Sequence, residues 1–166
     1  ITTFFAPPTA YRMMVLEDLA NFHPKALRHT VGAGEAVNPE VIAAWREGTG
    51  LHIWEGYGQT ETTLLAATFP GTEYRPASMG LVCPGFDMAI VDEAGNELPN
   101  GREGEIAVRV KPHRPVGLFT EYWRNPEANA SSFRGDWYYT GDLATRDDDG
   151  YFWFVGRADD VIISAS

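Results

Sequence analysis

The sequence of 166 residues is 44% hydrophobic with a formal net charge of -10 at pH 7, which fits one globular domain or two small subdomains. The acidic charge argues against nucleic-acid binding, because phosphate contacts need clustered Lys and Arg, whereas one nucleotide needs only a few local cations. Cys83, the single cysteine, cannot form an internal disulfide, and no apolar run approaches the roughly twenty residues of a membrane-spanning helix.

Both ends of the sequence lie next to apolar runs. It opens with residues 1–5 and stops at Ser164, Ala165 and Ser166, directly after the apolar residues 161–163. Natural termini are usually polar and frayed, so we expect a fragment of a longer protein.

The first part of the sequence alternates predicted strands and helices. Short apolar runs predict strands at residues 1–6, 27–31 and 51–54. A helix is predicted over residues 11–20, after the stiff pair Pro7 and Pro8. A second helix begins at the cap Asn38, has Pro39 in its first turn, and ends at the glycines of positions 48 and 50. This alternation of strand and helix predicts a parallel sheet.

The later part of the sequence has the pattern of antiparallel hairpins. Residues 87–91 and 104–110 alternate apolar and polar side chains around a turn, which predicts one hairpin. A second hairpin joins residues 137–139 and 143–145 to 151–155. The three Asp residues between them lack the distal Glu of a calcium-binding EF-hand loop, so we interpret them as a turn. The predicted fold class is therefore α/β plus β: parallel βα units over residues 1–71, then a small antiparallel barrel-like subdomain over 72–157.

The richest chemistry directly follows the third strand, in Glu55, Gly56, Tyr57, Gly58, Gln59, Thr60 and Glu61. We predict an irregular loop here, at the strand end where sites on α/β scaffolds usually lie. The glycines let the backbone approach a ligand, and Tyr57 can present its ring to a base or an acyl group. Thr60 and Glu61 offer hard oxygen ligands for Mg²⁺ and phosphate chemistry. Alone, the stretch is equally compatible with a turn carrying a solvated Glu.

Other clusters bear on function as well. Gly34 and Glu35 follow the second strand and would line the same sheet edge as Tyr57, unless they form a plain strand-to-helix turn. Asp142, just past a glycine, can accept ribose hydroxyls, although an Asp in a turn has the same pattern. Arg157 can pair with phosphate or ribose, and a surface salt-bridge cluster is the alternative.

Histidine and cysteine patterns indicate no further site. The histidines at positions 23, 29, 52 and 113 have no Ser or Cys partner at a spacing typical of a nucleophile triad, and they do not cluster with Cys83 as a zinc site. His52 lies in an apolar run, and we interpret it as a core histidine with its hydrogen bonds satisfied.

In this order, Tyr57-Gly58-Gln59-Thr60-Glu61, Tyr139-Thr140-Gly141-Asp142 and Gly156-Arg157-Ala158-Asp159-Asp160 resemble signatures of the adenylate-forming superfamily. That superfamily includes luciferases, aryl-CoA ligases and peptide-synthetase adenylation domains. Within it, residues 5–12, 33–40, 114–119 and 149–154 resemble the medium-chain acyl-CoA synthetases. The resemblance covers essentially the whole sequence but only part of such an enzyme.

The resemblance implies a role for each matching residue. Adenine would be held by Tyr57 and the backbone around it, together with Glu55, Gly56, Gly58, Gln59, Gly34, Glu35 and Ala36. Thr60 would bind phosphate, and Glu61 would bind the Mg²⁺ that bridges the ATP phosphates. Asp142 would take the ribose hydroxyls and Arg157 would add a ribose or phosphate contact. Thr60, Glu61 and Arg157 are the implied catalytic residues, and Asp159 is the hinge within residues 158–166.

The implied reaction consumes ATP, coenzyme A and a small carboxylic acid, a medium-chain fatty acid by this resemblance, and it releases AMP. Nucleic acid is not an expected partner, and a homo-oligomer is compatible with the sequence. The acidic charge fits a bacterial cytoplasm or a mitochondrial matrix. The family's Gly-rich phosphate loop and its C-terminal domain with the catalytic lysine are absent, so we expect this chain alone to be inactive. The rival readings are an aryl-CoA ligase, an amino-acid adenylation domain and a catalytically silent nucleotide-binding or interaction module.

Overall fold

The computed structural model describes residues 1–21 and 25–159, in which it places ten strands and three α-helices. The strands are β1 (Thr3–Ala6), β2 (His29–Ala33), β3 (Ile53–Gln59), β4 (Thr63–Ala67), β5 (Leu81–Val82), β6 (Met88–Val91), β7 (Gly104–Arg109), β8 (Phe133–Arg134), β9 (Trp137–Arg146) and β10 (Phe152–Arg157). The helices are α1 (Pro8–Met14), α2 (Pro39–Thr49) and α3 (Pro126–Ser132). Residues 160–166 of the predicted hinge segment lie outside the described residues.

The first sheet has the order β1-β2-β3-β4-β5. Its first three strands are parallel, as the alternation of strands and helices predicts. Strands β4 and β5 then add in antiparallel fashion, so the sheet is mixed. The predicted parallel sheet is therefore correct for β1 to β3 only, because β3 turns back into a hairpin instead of a crossover helix.

The loop predicted after the third strand is wrong for most of its length. Strand β3 continues to Gln59 because its backbone pairs with β4, with a register shift between Tyr57 and Gly58. Only residues 60–62 form the turn between the strands. A Cβ at Gly58 would lie 1.8 Å from the carbonyl oxygen of Thr63, so this pairing requires glycine there. Residues 55–59 of the predicted loop are therefore strand.

The two helices beside the first sheet differ in how well the sequence predicts them. Helix α2 matches its prediction: the Asn38 side chain accepts a hydrogen bond from the Glu40 amide at 2.7 Å, and Gly50 ends the helix in the left-handed conformation. Helix α1 begins at Pro8 and ends at Met14, not over residues 11–20. A short 3₁₀ helix follows and buries Leu19 against Gly48, and this tertiary contact ends α1 early.

The second sheet is antiparallel, with the order β10-β9-β7-β6 and β8 paired to β9. Both predicted hairpins are present, as β6 with β7 and β9 with β10. The Asp-rich segment forms the second turn, with the amides of Asp149 and Tyr151 bonded to the Asp147 carboxylate. Sequence patterns did not indicate α3 or β8, and β9 crosses Gly141 as one strand. Among the described residues no pairing joins β10 to β6, so the barrel-like closure stays a prediction.

A shared core holds the two sheets together. Leu65 and Ala66 of the first sheet pack with Met88, Ile90 and Tyr138 of the second. The other face of the first sheet is covered by α1 and α2 through a separate core around Tyr11 and Trp45. Strand β5 belongs to the first sheet although it follows residue 72, and the division at that residue stays a prediction. No helix in the described parts of the chain is long and apolar enough to cross a membrane.

Candidate functional site

A cavity of about 390 Å³ opens where the two sheets meet. The first sheet and its loops contribute Gly34, Glu35, Ala36, Glu55, Gly56, Tyr57, Gly58 and Gln59, and the segment before β5 contributes Ala77 and Met79. The second sheet contributes Asp142, Phe154 and Arg157. Residues that the sequence spreads over more than a hundred positions therefore line one cavity. Of the predicted site residues, Thr60, Glu61 and Asp159 are not part of its lining.

Asp142 is the centre of the polar wall of this cavity and is only 5% exposed. Its Oδ2 accepts hydrogen bonds from the Tyr57 hydroxyl at 2.6 Å and from Gln59 Nε2 at 2.7 Å. Its Oδ1 accepts from Arg157 Nη1 at 3.1 Å. A carboxylate has about four acceptor positions, so these three donors leave it about one for a ligand.

The pairing of β9 with β10 places Arg157 beside this carboxylate. Asp142 and Arg157 are register partners, and the shift between Phe154 and Gly156 brings them opposite one another. Gly141 has a φ of +75°, and a Cβ there would lie 3.0 Å from Arg157 Nη2. Glycine before Asp142 thus serves two purposes, because it supplies the left-handed backbone and leaves room for the guanidinium.

Two neutral tyrosine hydroxyls support the same carboxylate, Tyr57 directly and Tyr138 through Gln59. Burial and the nearby Asp142 charge raise the pKa of Tyr57, so its hydroxyl stays protonated and donates. Burial likewise raises the pKa of Tyr138, whose hydroxyl donates to Gln59 Oε1 at 3.1 Å. Gln59 also donates to the Thr140 carbonyl at 2.9 Å. Its amide is thereby fixed in the orientation that donates to Asp142.

Glu55 also lines the cavity and is 8% exposed. Its Oε1 accepts from the Val37 amide at 3.2 Å, and its Oε2 accepts from the Ala77 amide at 3.0 Å. Burial raises the pKa of this carboxyl to about 7, although both backbone hydrogen bonds oppose that shift. Glu55 thus holds two loops through its carboxylate, and about two of its four acceptor positions stay open.

Glu61 lies in the turn just beyond the cavity. Its Oε1 accepts from the Tyr122 hydroxyl at 3.0 Å, and its backbone carbonyl accepts from the Phe119 amide at 2.7 Å. No described side chain donates to its Oε2. In the described parts of the chain no three His, Cys, Asp or Glu side chains cluster as a metal site. Mg²⁺ needs only one or two protein carboxylates when phosphates supply the other ligands, so Glu61 fits that ion as a single ligand.

Sequence reasoning missed several residues of this region. Ala77, Met79 and Phe154 line the cavity but carry no reactive group, and only their tertiary placement reveals them. Tyr122 and Tyr138 act through their hydroxyls, and their aromatic-rich surroundings gave no signal for those contacts. The interpretation of His52 as a satisfied core residue is wrong: its buried Nδ1 has no hydrogen-bond partner among the described residues. Packing instead holds its ring, with the Tyr74 ring centroid 4.1 Å away.

A sequence profile described as AMP-binding enzyme matches residues 1–123. The chain therefore belongs to the AMP-binding enzyme family, in agreement with the resemblance drawn from its motifs.

Curated proteins similar to this chain are named acyl-coenzyme A synthetases. It is 53% identical over 165 residues to the mitochondrial acyl-coenzyme A synthetase ACSM3 of Mus musculus, covering 99% of this chain and 28% of that protein. It is 54% identical over 165 residues to the mitochondrial acyl-coenzyme A synthetase ACSM4 of Homo sapiens, with the same shares covered. The chain thus spans 28% of the length of these relatives.

Two solved structures are similar to this chain in fold and in sequence. ATP-bound MatB from Rhodopseudomonas palustris superposes with a TM-score of 0.89 at 30% identity, covering 98% of this chain and 32% of that one. An anthranilate CoA ligase in complex with anthranoyl-AMP superposes with a TM-score of 0.86 at 34% identity, covering 97% of this chain and 30% of that one. The similarity to both extends over essentially all of this chain.

Proposed function

We propose that this chain is the nucleotide-binding part of an ATP-dependent acyl-CoA synthetase, an AMP-forming acid–thiol ligase. The observation that carries the proposal is the cavity in which Tyr57, Asp142 and Arg157 meet, because these residues come from three separate motifs of the adenylate-forming superfamily. The names of the relatives support this activity for the whole protein. The chain alone should lack it, since the phosphate loop and the catalytic lysine implied by the family are not in its sequence.

In this proposal adenine lies between the Gly34 loop and the backbone of β3, against the Tyr57 ring. Ribose lies against Asp142. Because about one acceptor position of that carboxylate is open, it takes one ribose hydroxyl directly, and a second requires Tyr57 or Arg157 to move aside. Arg157 is 43% exposed, so it is the donor that can turn towards a ribose or phosphate oxygen.

The phosphates extend towards the turn that carries Thr60 and Glu61. The Thr60 hydroxyl is exposed and can donate to a phosphate oxygen. Glu61 would hold Mg²⁺ through its Oε2, while Tyr122 fixes its other oxygen. When bound, the ion offsets charge on the ATP phosphates. Tyr122 restricts the Glu61 carboxylate to one orientation, which lowers the entropy cost of binding the ion.

The overall reaction follows the family's chemistry. The substrate carboxylate attacks the α-phosphate, a P–O bond forms to give the acyl-adenylate, and pyrophosphate leaves. The coenzyme A sulfur then forms the thioester and AMP leaves with the electron pair of the broken C–O bond. This chain contributes to the first step by holding the nucleotide so that the carboxylate can approach in line.

Finer features of the whole protein are also part of this proposal. The substrate is a medium-chain fatty acid, as the resemblance of the motifs implies, and the compartment is the mitochondrial matrix, for which the word mitochondrial in the relatives' names is the support. Those names give no support to a bacterial cytoplasm. Residues 72–157 form a barrel-like subdomain and Asp159 is the hinge before a C-terminal domain. A homo-oligomer of the whole protein is compatible with this proposal.

The test is acid-dependent ATP–pyrophosphate exchange by the full-length protein that contains this chain. Straight-chain acids of about four to twelve carbons, with benzoate added, would be compared in the presence of Mg²⁺. Exchange that peaks at medium-chain acids, together with a coenzyme A requirement for turnover, is the expected result. Exchange with none of these acids by a folded protein would overturn adenylation and favour a non-catalytic nucleotide-binding or interaction module.

The second candidate is an aryl-CoA ligase. It is favoured by the similarity to the anthranilate CoA ligase, which shares 34% identity with this chain. Exchange with benzoate alone would select it and would leave the nucleotide site unchanged.

A further inference from the structure

Glu55 is a buried carboxylate to which the proposed reaction assigns no step. It lies on β3, next to Gly32 of β2 in the sheet register. Both of its oxygens accept backbone amides, from Val37 at 3.2 Å and from Ala77 at 3.0 Å. Each oxygen accepts one of these amides, so Glu55 connects the two segments that carry them and influences a ligand through those segments.

Those two segments both line the cavity. Val37 directly follows Gly34, Glu35 and Ala36, which line the cavity before α2 begins. Ala77 and Met79 line it from the segment that leads to β5. One carboxylate therefore links the loop after β2 to the segment after β4, and both contribute to the lining of the cavity.

The segment that carries Ala77 has further reasons to need a support. Ala77 has a φ of +62°, a left-handed conformation that costs free energy for a residue with a side chain. Just beyond it, Ser78 Oγ donates to the Phe152 carbonyl at 3.0 Å and the Met79 amide donates to the same carbonyl at 2.8 Å. The hydrogen bond to Glu55 thus fixes a strained turn that also connects the first sheet to β10.

We propose that Glu55 is a positioning residue that sets the spacing of the Gly34–Val37 and Ala77–Met79 walls, and so determines how tightly the adenosine part of a nucleotide is held. This inference rests on the proposed nucleotide site. Two facing amide donors require two acceptors, which a carboxylate provides. A glutamine offers one acceptor and one donor, so its amide nitrogen would face a backbone amide and that contact would be lost.

The same argument gives a dependence on pH. Protonation replaces one acceptor of Glu55 by an O–H group, as glutamine replaces it by an amide. Tyr74, from the segment after β4, interacts with the Glu55 charge, and Glu35, Tyr57, Asp142 and Arg157 are the other titratable groups around the cavity. A comparison with Glu55→Gln removes their shared contribution, because that variant lacks only the Glu55 titration.

The experiment measures adenosine affinity in the full-length protein at two pH values, about 5.5 and about 8. Adenosine is uncharged at both, so it adds no pH dependence of its own. Glu55→Gln is expected to lower adenosine affinity about tenfold at the higher pH, to raise KM for ATP similarly, and to change kcat less than about threefold. Wild-type affinity should fall towards the lower pH and the variant's affinity should not. Glu73→Gln is the matched control, because Glu73 is an exposed carboxylate on the segment leading to Ala77 and lines no part of the cavity.

Each other outcome has a definite meaning. Unchanged adenosine affinity in a folded Glu55→Gln protein would overturn the inference while leaving the nucleotide site intact. Loss of folding in both Glu55→Gln and Glu55→Asp would also overturn it, because Glu55 would then be structural only. A wild-type protein that binds neither adenosine nor ATP would overturn the proposed function itself, and the inference with it.

Discussion

Two parts of the cavity lining are stabilised by different chemistry: the polar wall around Asp142 and the wall that Glu55 supports. On the side of β9 and β10, side chains bond to one another: Tyr57, Gln59 and Arg157 all donate to Asp142. On the side of the Gly34 loop, a single carboxylate bonds to backbone amides instead. The wall around Asp142 offers charged side chains to a ligand. The wall around Glu55 instead sets the positions of backbone segments that line the cavity. Substitutions in the first should remove ligand contacts, and substitutions in the second should change the fit.

The largest effect is expected from Asp142→Ala in the full-length protein. A charge-assisted hydrogen bond to a ribose hydroxyl contributes about 1.5–3 kcal/mol, and the variant also leaves Arg157 without its buried partner. Together these predict a fall in kcat/KM for ATP of about a hundredfold or more, measured by steady-state kinetics. Asp142→Asn keeps the volume and is the control, and it should lose most of the same activity. Nearly full activity in both variants would contradict a charged binding wall.

The second prediction concerns Glu61, a charged residue in the turn next to the polar wall but outside the cavity lining. Removing one preorganised electrostatic group costs about a hundredfold in kcat in comparable cases, so we expect a loss of this size for Glu61→Gln. Adenosine affinity should not change, since Glu61 does not line the cavity. Tyr122→Phe, which removes the hydrogen bond to Glu61 and keeps the carboxylate, should lose a few-fold. ATP–pyrophosphate exchange over a range of Mg²⁺ concentrations measures both, and equal losses in the two variants would mean that Glu61 acts only through Tyr122.

The third prediction uses the pH dependence of the other wall. Burial raises the Glu55 pKa from 4.5 to about 7, so the folded protein keeps a proton there that the unfolded chain releases. The free energy of unfolding should therefore decrease as pH rises through this window, by about 3 kcal/mol, and should be flat above it. Denaturant unfolding of the wild type and of Glu55→Gln measures this contribution as a difference.

This result bears directly on the role of Glu55. As pH falls below about 7, stability should rise while adenosine affinity falls, so the two properties move in opposite directions. A residue that only supports the fold would move them together. Identical pH profiles of stability in the wild type and Glu55→Gln would show that the Glu55 pKa is not raised.

The smallest effect is expected from Tyr57→Phe. The variant removes one of the donors to Asp142, which costs about 1 kcal/mol, but it also frees an acceptor position for ribose. Because these effects oppose each other, adenosine affinity should change less than about fivefold. Tyr138→Phe removes a hydroxyl that donates to Gln59 rather than to Asp142, so it should change adenosine affinity less still. A loss as large as that of Asp142→Ala would show that Tyr57 OH, rather than its ring, dominates the wall.

The motifs singled out candidate residues by their local chemistry, and the assignment of these residues to a nucleotide site stays a prediction. Tyr57, Asp142 and Arg157 each stood out by residue type and by a neighbouring glycine, and the cavity gathers all three. Helix α2 was equally predictable, since a cap and a left-handed glycine define its ends within the sequence itself. These features depend on a few adjacent residues.

The features that sequence reasoning missed depend on distant contacts. Strand β3 continues past its glycines because β4 pairs with it, and helix α1 ends early because Leu19 packs against Gly48. Ala77 lines the cavity only because a carboxylate on another strand binds its amide. No local pattern in the sequence encodes such partners, so their prediction requires the tertiary structure.

The two bonds of Arg157 differ in a way that matters for any rotation at residue 159. Nη1 bonds Asp142, whose side chain is 7% exposed, while Nε bonds Asp159, whose side chain is 73% exposed, both at 3.1 Å. Solvent screens the exposed pair, so it separates first when the backbone turns there. The guanidinium then stays on Asp142. A rotation at the proposed hinge would therefore break the exposed Arg157–Asp159 pair and leave the Arg157–Asp142 pair of the cavity intact.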